Sequence, residues 1–229
     1  MNTSGGIDLA PTDPGSRRRW GRQAEAERND RRVLEAAREV FAAQGAGAPV
    51  ADVARRAGVG IGSLYRRYGS KDELLQRLCV LSMEQMIAAA QTALDRDTDS
   101  WTALVDCVHM CVAFRSGALA PLAGTVPVTD DLIATSLVAQ DLLRTLVERA
   151  QAAGGVRSDV NSIDVARLIE LFSRSHASTD GDDEHVQRRL LALALDGLRA
   201  TTADPLPGEP PAVSSYVERW RQGPAGGSD

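Results

Sequence analysis

The apolar side chains of this sequence recur at the spacing of an α-helix, and no stretch alternates apolar and polar residues convincingly enough to make a strand. That periodicity points to an all-α fold. Val33, Ala37, Val40 and Phe41 open the pattern, and Gly45 ends it. A short second helix is expected from about Pro49 to Ala57, with proline tolerated in the first turn, and a third from Ile61 to Tyr68. Ser70-Lys71-Asp72-Glu73 reads as a capping box ahead of Leu74 and Leu75, so a fourth helix starts there and runs to about Leu94. Further helices are expected near 101–116, 130–153, 161–176 and 184–200, with Asn161 placed to cap the third of them. The breaks fall at Gly117–Pro127, Gly154–Val160 and Ser178–Asp183.

With 229 residues, 43% of them apolar and 25% charged, the chain can bury a proper core. No apolar run reaches the roughly 18 residues of a membrane span, and the N-terminus lacks the apolar stretch of a secretory signal. Three cysteines, Cys79, Cys107 and Cys111, are too few for a disulfide framework, so the chain is expected to be cytoplasmic. The net charge of −5 is unevenly placed. Residues 1–78 carry 14 Lys and Arg against 10 Asp and Glu, whereas residues 79–229 carry 12 against 21. A basic head on an acidic body suits a protein that grips a polyanion with one end.

Ala57–Leu75 is the informative segment. Gly58 can take positive φ and so set two helices at a steep angle. In the third helix Leu64 is suited to pack back on Val53 and Ala54, while Ser63, Tyr65, Arg66, Arg67 and Tyr68 supply donors and flat rings. Such a helix suits the major groove, where arginine can pair with guanine. Lys71, the only lysine, lies in the first turn of the next helix, where backbone N–H groups already favour a phosphate. Tyr65 and Tyr68 have core packing as their alternative reading. Arg17, Arg18, Arg19 and Arg22 fit either a minor-groove arm or a solvated tail.

From Arg28 to Leu75 the chain resembles the DNA-binding domain of the TetR family. The resemblance is carried by Phe41 and Gly45, Val53-Ala54, Ala57-Gly58-Val59, Gly62-Ser63-Leu64-Tyr65, Tyr68 and Ser70-Lys71. It implies that Ser63, Tyr65, Arg67 and Lys71 contact DNA, with Ile61, Gly62 and Arg66 bordering the base edges; Tyr68 is counted with this group. Two departures stand out. Ala48 and Pro49 replace a frequent threonine pair, and Gly60 replaces a frequent serine cap. The Ala-Pro-Val start of the second helix and the Gly155–Val160 linker resemble the branch with an SbtR-like C-terminal domain.

The expected organisation is a flexible basic arm (1–27), a three-helix helix-turn-helix domain (28–75), a larger helical domain for ligand binding and dimerisation (76–200), and a Pro/Gly-rich tail (201–229). The resemblance implies a ligand-responsive repressor that binds a palindromic, double-stranded operator as a homodimer. The alternative is an activator, or a regulator controlled by a protein partner without a small ligand. Trp101, Leu104, Val108, Cys111, Phe114 and Arg115 share one amphipathic stretch and are candidates to hold a small apolar or acidic effector anchored by Arg115, ordinary core being the other reading. The last helix carries two apolar stripes, which asks for a partner. Leu190, Ala194 and Gly197, with Val165, Leu168 and Phe172 of the preceding helix, are the expected dimer seam. Cys107 and Cys111 share a helix face that His109 does not, so they read as buried hydrophobes rather than metal ligands. No catalytic motif, cofactor or metal site is expected.

Overall fold

The computed structural model describes residues 14–174, 181–200 and 204–221. The chain there forms α1 (Pro14–Gln44), α2 (Val50–Ala57), α3 (Ile61–Tyr68), α4 (Lys71–Asp95), α5 (Ser100–Ala113), α6 (Asp130–Ala152), α7 (Ser162–Ser173), α8 (Gly181–Asp196) and α9 (Val213–Arg221), with a 3-10 turn at Ala120–Leu122. The extended pairing among these residues is one antiparallel bridge, Val156 to Arg199, which ties the α6–α7 linker to the end of α8. No helix among them is long and apolar enough to cross a membrane.

Two hydrophobic cores organise the bundle, and α4 enters both. Its first half places Leu74, Leu75 and Leu78 with Phe41, Val53 and Leu64 beneath the head. Its second half places Ala89, Ala90 and Ala93 against Leu104, Val108, Leu143, Leu146 and Ile169. The small residues in that second half let α5 and α6 approach closely. Side chains cap the helices where hydroxyl, carboxyl or amide groups were available: Asp99 accepts from Thr102 N–H at 3.0 Å, and Thr129 from Leu132 N–H at 3.3 Å. Asn161 and Asp164 complete a reciprocal capping box on α7.

The structure differs from expectation at the N-terminal arm. Residues 14–27, expected in the flexible arm, are helical. Pro14 sits at the first helical position, and the following Arg, Gln, Ala and Glu residues are good helix formers that extend a helix already anchored by Val33–Phe41. Arg17, Arg18, Arg19 and Arg22 fall on this extension. In the tail, where the sequence offers one more short turn around Tyr216–Trp220, the chain forms α9, whose Tyr216 packs against the second core. Of the expected break at Ser178–Asp183, residues 178–180 lie outside the described residues, and residues 181–183 already belong to α8.

After α5 the chain turns sharply, with Arg115 at φ 54°. Gly117 then presses on α7: a Cβ there would lie 2.5 Å from Glu170 Cα and 2.8 Å from Glu170 N. Both obstacles are backbone, so neither can swing aside. Gly117→Ala should therefore cost about 1–3 kcal/mol as overpacking, lowering Tm by roughly 2–4 °C per kcal/mol in a chain of this size. Gly62→Ala, with open space around its Cβ, should melt at or slightly above the wild-type temperature. Equal melting of both variants would contradict the close approach.

Candidate nucleic-acid interface and buried cavity

Gly58 closes α2 in the left-handed region at φ 67°, and Val59 N–H donates to Ala54 O at 3.0 Å. Arg32 of α1 donates to Ala57 O at 2.8 Å, pinning the same turn from behind. Pro49 and Gly60 start α2 and α3 without any side-chain cap, as the two sequence departures require. α3 then divides cleanly. Leu64 and Tyr68, four residues apart, are buried. Ile61, Gly62, Ser63, Tyr65, Arg66 and Arg67 are exposed.

Tyr68, grouped with the DNA-facing residues, is instead an anchor. Its hydroxyl donates to Asp30 Oδ1 of α1, and Arg67 Nε donates to the same oxygen at 2.9 Å. Burial pushes the Asp30 carboxyl up, but the hydrogen bonds from Arg67 and Tyr68 and the Arg67 charge outweigh it and hold the group below its usual range. Burial, with the bond to Asp30, raises the Tyr68 phenol. Arg67, one of the expected DNA contacts, is tethered at its ε-nitrogen while its side chain stays 55% exposed. Arg66 touches Ser63 Oγ at 3.0 Å and points to solvent. Lys71 begins α4 with its ammonium 5.8 Å from the Phe41 ring centroid. Ser70 caps this helix by accepting from Glu73 N–H at 3.1 Å. The reciprocal arm of the box is altered: Glu73 takes the Ser70 hydroxyl at 3.3 Å, while Ser70 N–H donates to Tyr68 O at 2.7 Å.

The six candidate effector residues on and after α5 fall in three different settings. Leu104, Val108 and Cys111 are sealed in the second core, because that face of α5 is consumed by packing on α4, α6 and α7. Trp101 is half-buried with the Arg199 guanidinium 4.4 Å from its ring centroid. Phe114 is exposed and Arg115 reaches the Ser173 carbonyl at 3.5 Å; both border a surface cleft shared with Arg38 and Gln85. Cys107 and Cys111 stack in the core while His109 faces out. The Cys107 hydrogen bond and burial push the Cys111 thiol up.

A cavity of about 130 Å³ opens instead between α4, α6, α7 and the segment Ser116–Ala120. Cys79 and Met83 of α4, Leu132 and Leu143 of α6, and Ile163 and Ile169 of α7 form its walls. Burial pushes the Cys79 thiol up to about 12, so it lines the space as a neutral, apolar group. Glu170 and Tyr216 close one side. Glu170 accepts from Tyr216 Oη at 2.7 Å, from Arg167 at 3.0 Å and from Arg219 at 2.6 and 3.2 Å, which fastens α9 to α7. The one sequence signal for this cluster was a glutamate in register with Ile163 and Ala166 on a buried helix face.

Leu191 and Leu195 of α8, with Leu198 in the turn after it, are covered within the chain, whereas Val186, Leu190 and Leu193 are 50%, 49% and 60% exposed. Ala194 is half-buried between the two stripes. Gly197 falls in the turn after α8 ends at Asp196, not within the helix. Val165 is wholly inside the second core, and Leu168 and Phe172 are partly covered by it; Leu171, 54% exposed, is the residue α7 offers outward.

Asp30→Ala should cost about 1–3 kcal/mol by stranding the Tyr68 hydroxyl, whereas Arg67→Ala should cost below about 1 kcal/mol because that pair is solvent-screened. Since the folded Asp30 pKa is depressed, its contribution is complete above the ordinary carboxyl value of about 3.9 and is lost as pH falls through the folded value. Urea titrations from pH 3 to 7 would check both points. Equal losses in the two variants would mean that Tyr68 is not anchored through Asp30.

Residues 33–78 match the family of bacterial regulatory proteins, tetR family, and residues 99–200 match the C-terminal domain of SbtR-like transcriptional regulators. No curated protein matches the sequence. Among solved structures, the chain is similar to the TetR transcriptional regulator SCO0520 from Streptomyces coelicolor, at 28% identity over 76% of this chain and 99% of that one, with a TM-score of 0.52. A TetR regulatory protein from Mycobacterium vanbaalenii is also 28% identical, over 77% of this chain and 98% of its own, with a TM-score of 0.51. A tetR-family protein from Rhodococcus RHA1 shares the fold at 21% identity, covering 76% of this chain and 98% of its own, with a TM-score of 0.56. With the exposed donor face of α3 held by a buried tyrosine and a glycine turn, these matches make the chain a member of the TetR family of DNA-binding transcriptional regulators, with a C-terminal domain of the SbtR-like kind.

Proposed function

We propose that the protein is a ligand-responsive repressor that holds a palindromic operator as a homodimer and releases it when a small effector fills the cavity between α4, α6 and α7. The observation that carries the DNA-binding half is the division of α3. Leu64 and Tyr68 fix the helix, leaving Ile61, Gly62, Ser63, Tyr65 and Arg66 facing outward. Gly62 leaves open space, so a duplex can approach the backbone there. Arg66 and Ser63 form an adjacent donor pair for base edges, and Lys71 adds a cation to the N–H groups opening α4 for a phosphate. Arg67 contributes once it shares or leaves Asp30.

The effector half follows from α4. Cys79, Ser82 and Met83 line the cavity, and Leu74, Leu75 and Leu78 one turn earlier pack under the head. A ligand that displaces α4 therefore alters the seat of α3, and in a dimer it alters the distance between two recognition helices. The exposed row Val186, Leu190 and Leu193, with Leu171, supports a two-fold seam, the symmetry that a palindrome requires. Transcription control places the protein with the cell's DNA, in the cytoplasm.

On DNA flanking its own gene, the wild-type protein should give a discrete shifted complex. Lys71→Ala should weaken binding to every sequence and reduce the salt slope by about one unit. An unchanged slope would remove Lys71 from the phosphate contacts.

The paired change Leu190→Glu and Leu193→Glu alters side chains that are exposed in a single chain, so the fold should survive. Sedimentation should then show a monomer, and operator binding should be lost with α3 untouched. A double variant that remains dimeric would move the seam elsewhere.

A further inference from the structure

Effectors of very different charge could fit a cavity with apolar walls, and the polar groups of this one discriminate among them. We propose that the ligand is an uncharged, compact apolar molecule bearing one hydrogen-bonding oxygen, received by Ser116. This rests on the cavity being the effector site.

Glu170 is the one ionisable acid or base among the residues that line the cavity, apart from the neutral Cys79 thiol and Tyr216 phenol. Its carboxylate has no capacity left. Oε1 accepts from Tyr216 Oη and Arg219, and Oε2 accepts from Arg167 and Arg219. A ligand ammonium would have to compete with two guanidiniums for it. A ligand carboxylate would meet no cation on the wall and would stand beside Glu170. Either charge would lose its water without a matching partner, which apolar contact does not offset.

The hydroxyls differ in the same telling way. Ser82 donates to Leu78 O at 3.0 Å and Ser136 to Ile133 O at 2.8 Å, each spent on its own helix, while Ser162 at the start of α7 also lines the space. Ser116 is 7% exposed and lines the cavity, and its Oγ has no hydrogen-bond partner among the described residues. A buried hydroxyl calls for a partner, and it can donate to a carbonyl or ether oxygen or accept from an alcohol. Ser116 also sits one residue from Gly117, whose contact with α7 holds that segment in place. The size is consistent with a small skeleton: an engineered apolar cavity of about 150 Å³ takes benzene, so six-carbon probes suit a space of about 130 Å³.

Calorimetric titration of the full chain with hexan-1-ol, hexan-2-one, hexanoate and hexylammonium tests the assignment. The alcohol and ketone should bind, and the two ions should bind at least tenfold more weakly. Ser116→Ala should weaken the ketone and the alcohol by about five- to tenfold, the worth of one neutral hydrogen bond. Ala139→Leu, which fills the cavity from α6, should abolish binding of all four; Ile133→Phe at the same wall replaces it if that variant does not fold. If an ion binds as tightly as the ketone, or Ser116→Ala changes nothing, the ligand class is overturned while the effector cavity stands. If no probe binds, or binding survives the filled cavity, the effector reading fails and the ligand class with it.

Discussion

Everything else in this molecule depends on α4 being buried at both ends by different partners. A helix of 25 residues spans about 37 Å at 1.5 Å per residue, enough to cross from the head into the regulatory bundle. Leucines at one end and alanines at the other give it two unlike interfaces: wide contacts beneath α3, close helix approach against α5 and α6. Close-packed interfaces do not deform continuously, so a shift at one end is taken up by the helix as a unit. The cavity borders the join between the two cores.

The head shows how a short helix is held rigid without using up its outward face. α3 has only eight residues and no side-chain cap, so its own hydrogen bonds cannot keep it in place. Leu64 supplies apolar burial and Tyr68 reaches Asp30 across to α1. Arg67 shares that carboxylate, so part of the basic charge of α3 is already balanced in the free protein.

The α7–α9 contact solves a harder problem, a carboxylate in an apolar setting. Glu170 is 7% exposed, and leaving it ionised there would be costly without partners. Arg167 and Arg219 lie 5.3 and 5.0 Å from the Tyr216 ring centroid, so the phenol that donates to Glu170 also stacks with its two cations. α9 falls beyond residues 99–200 of the matched C-terminal domain. It shapes one side of the cavity in this chain through contacts that the family match does not cover.

By itself the sequence determined most of the helices from Val33 onward, their order and the recognition turn, because these follow from short-range rules. A 3.6-residue apolar period, a glycine that accepts positive φ at Gly58, and Asn161 three residues ahead of Asp164 are all legible within one or two turns of chain. The two stripes of α8 were legible for the same reason; which stripe faces inward was not, since that depends on what α7 and α5 leave uncovered. Tertiary structure alone decided the rest. Tyr68 and Asp30 are 38 residues apart, and Glu170 and Tyr216 are 46 apart, distances over which no local pattern carries information. That one face of α5 is filled while space opens at the α4–α6–α7 junction has a related reason. An amphipathic stretch such as Trp101–Arg115 says that a face is apolar, but only the packing of its neighbours says whether that face is filled by protein or left for a ligand.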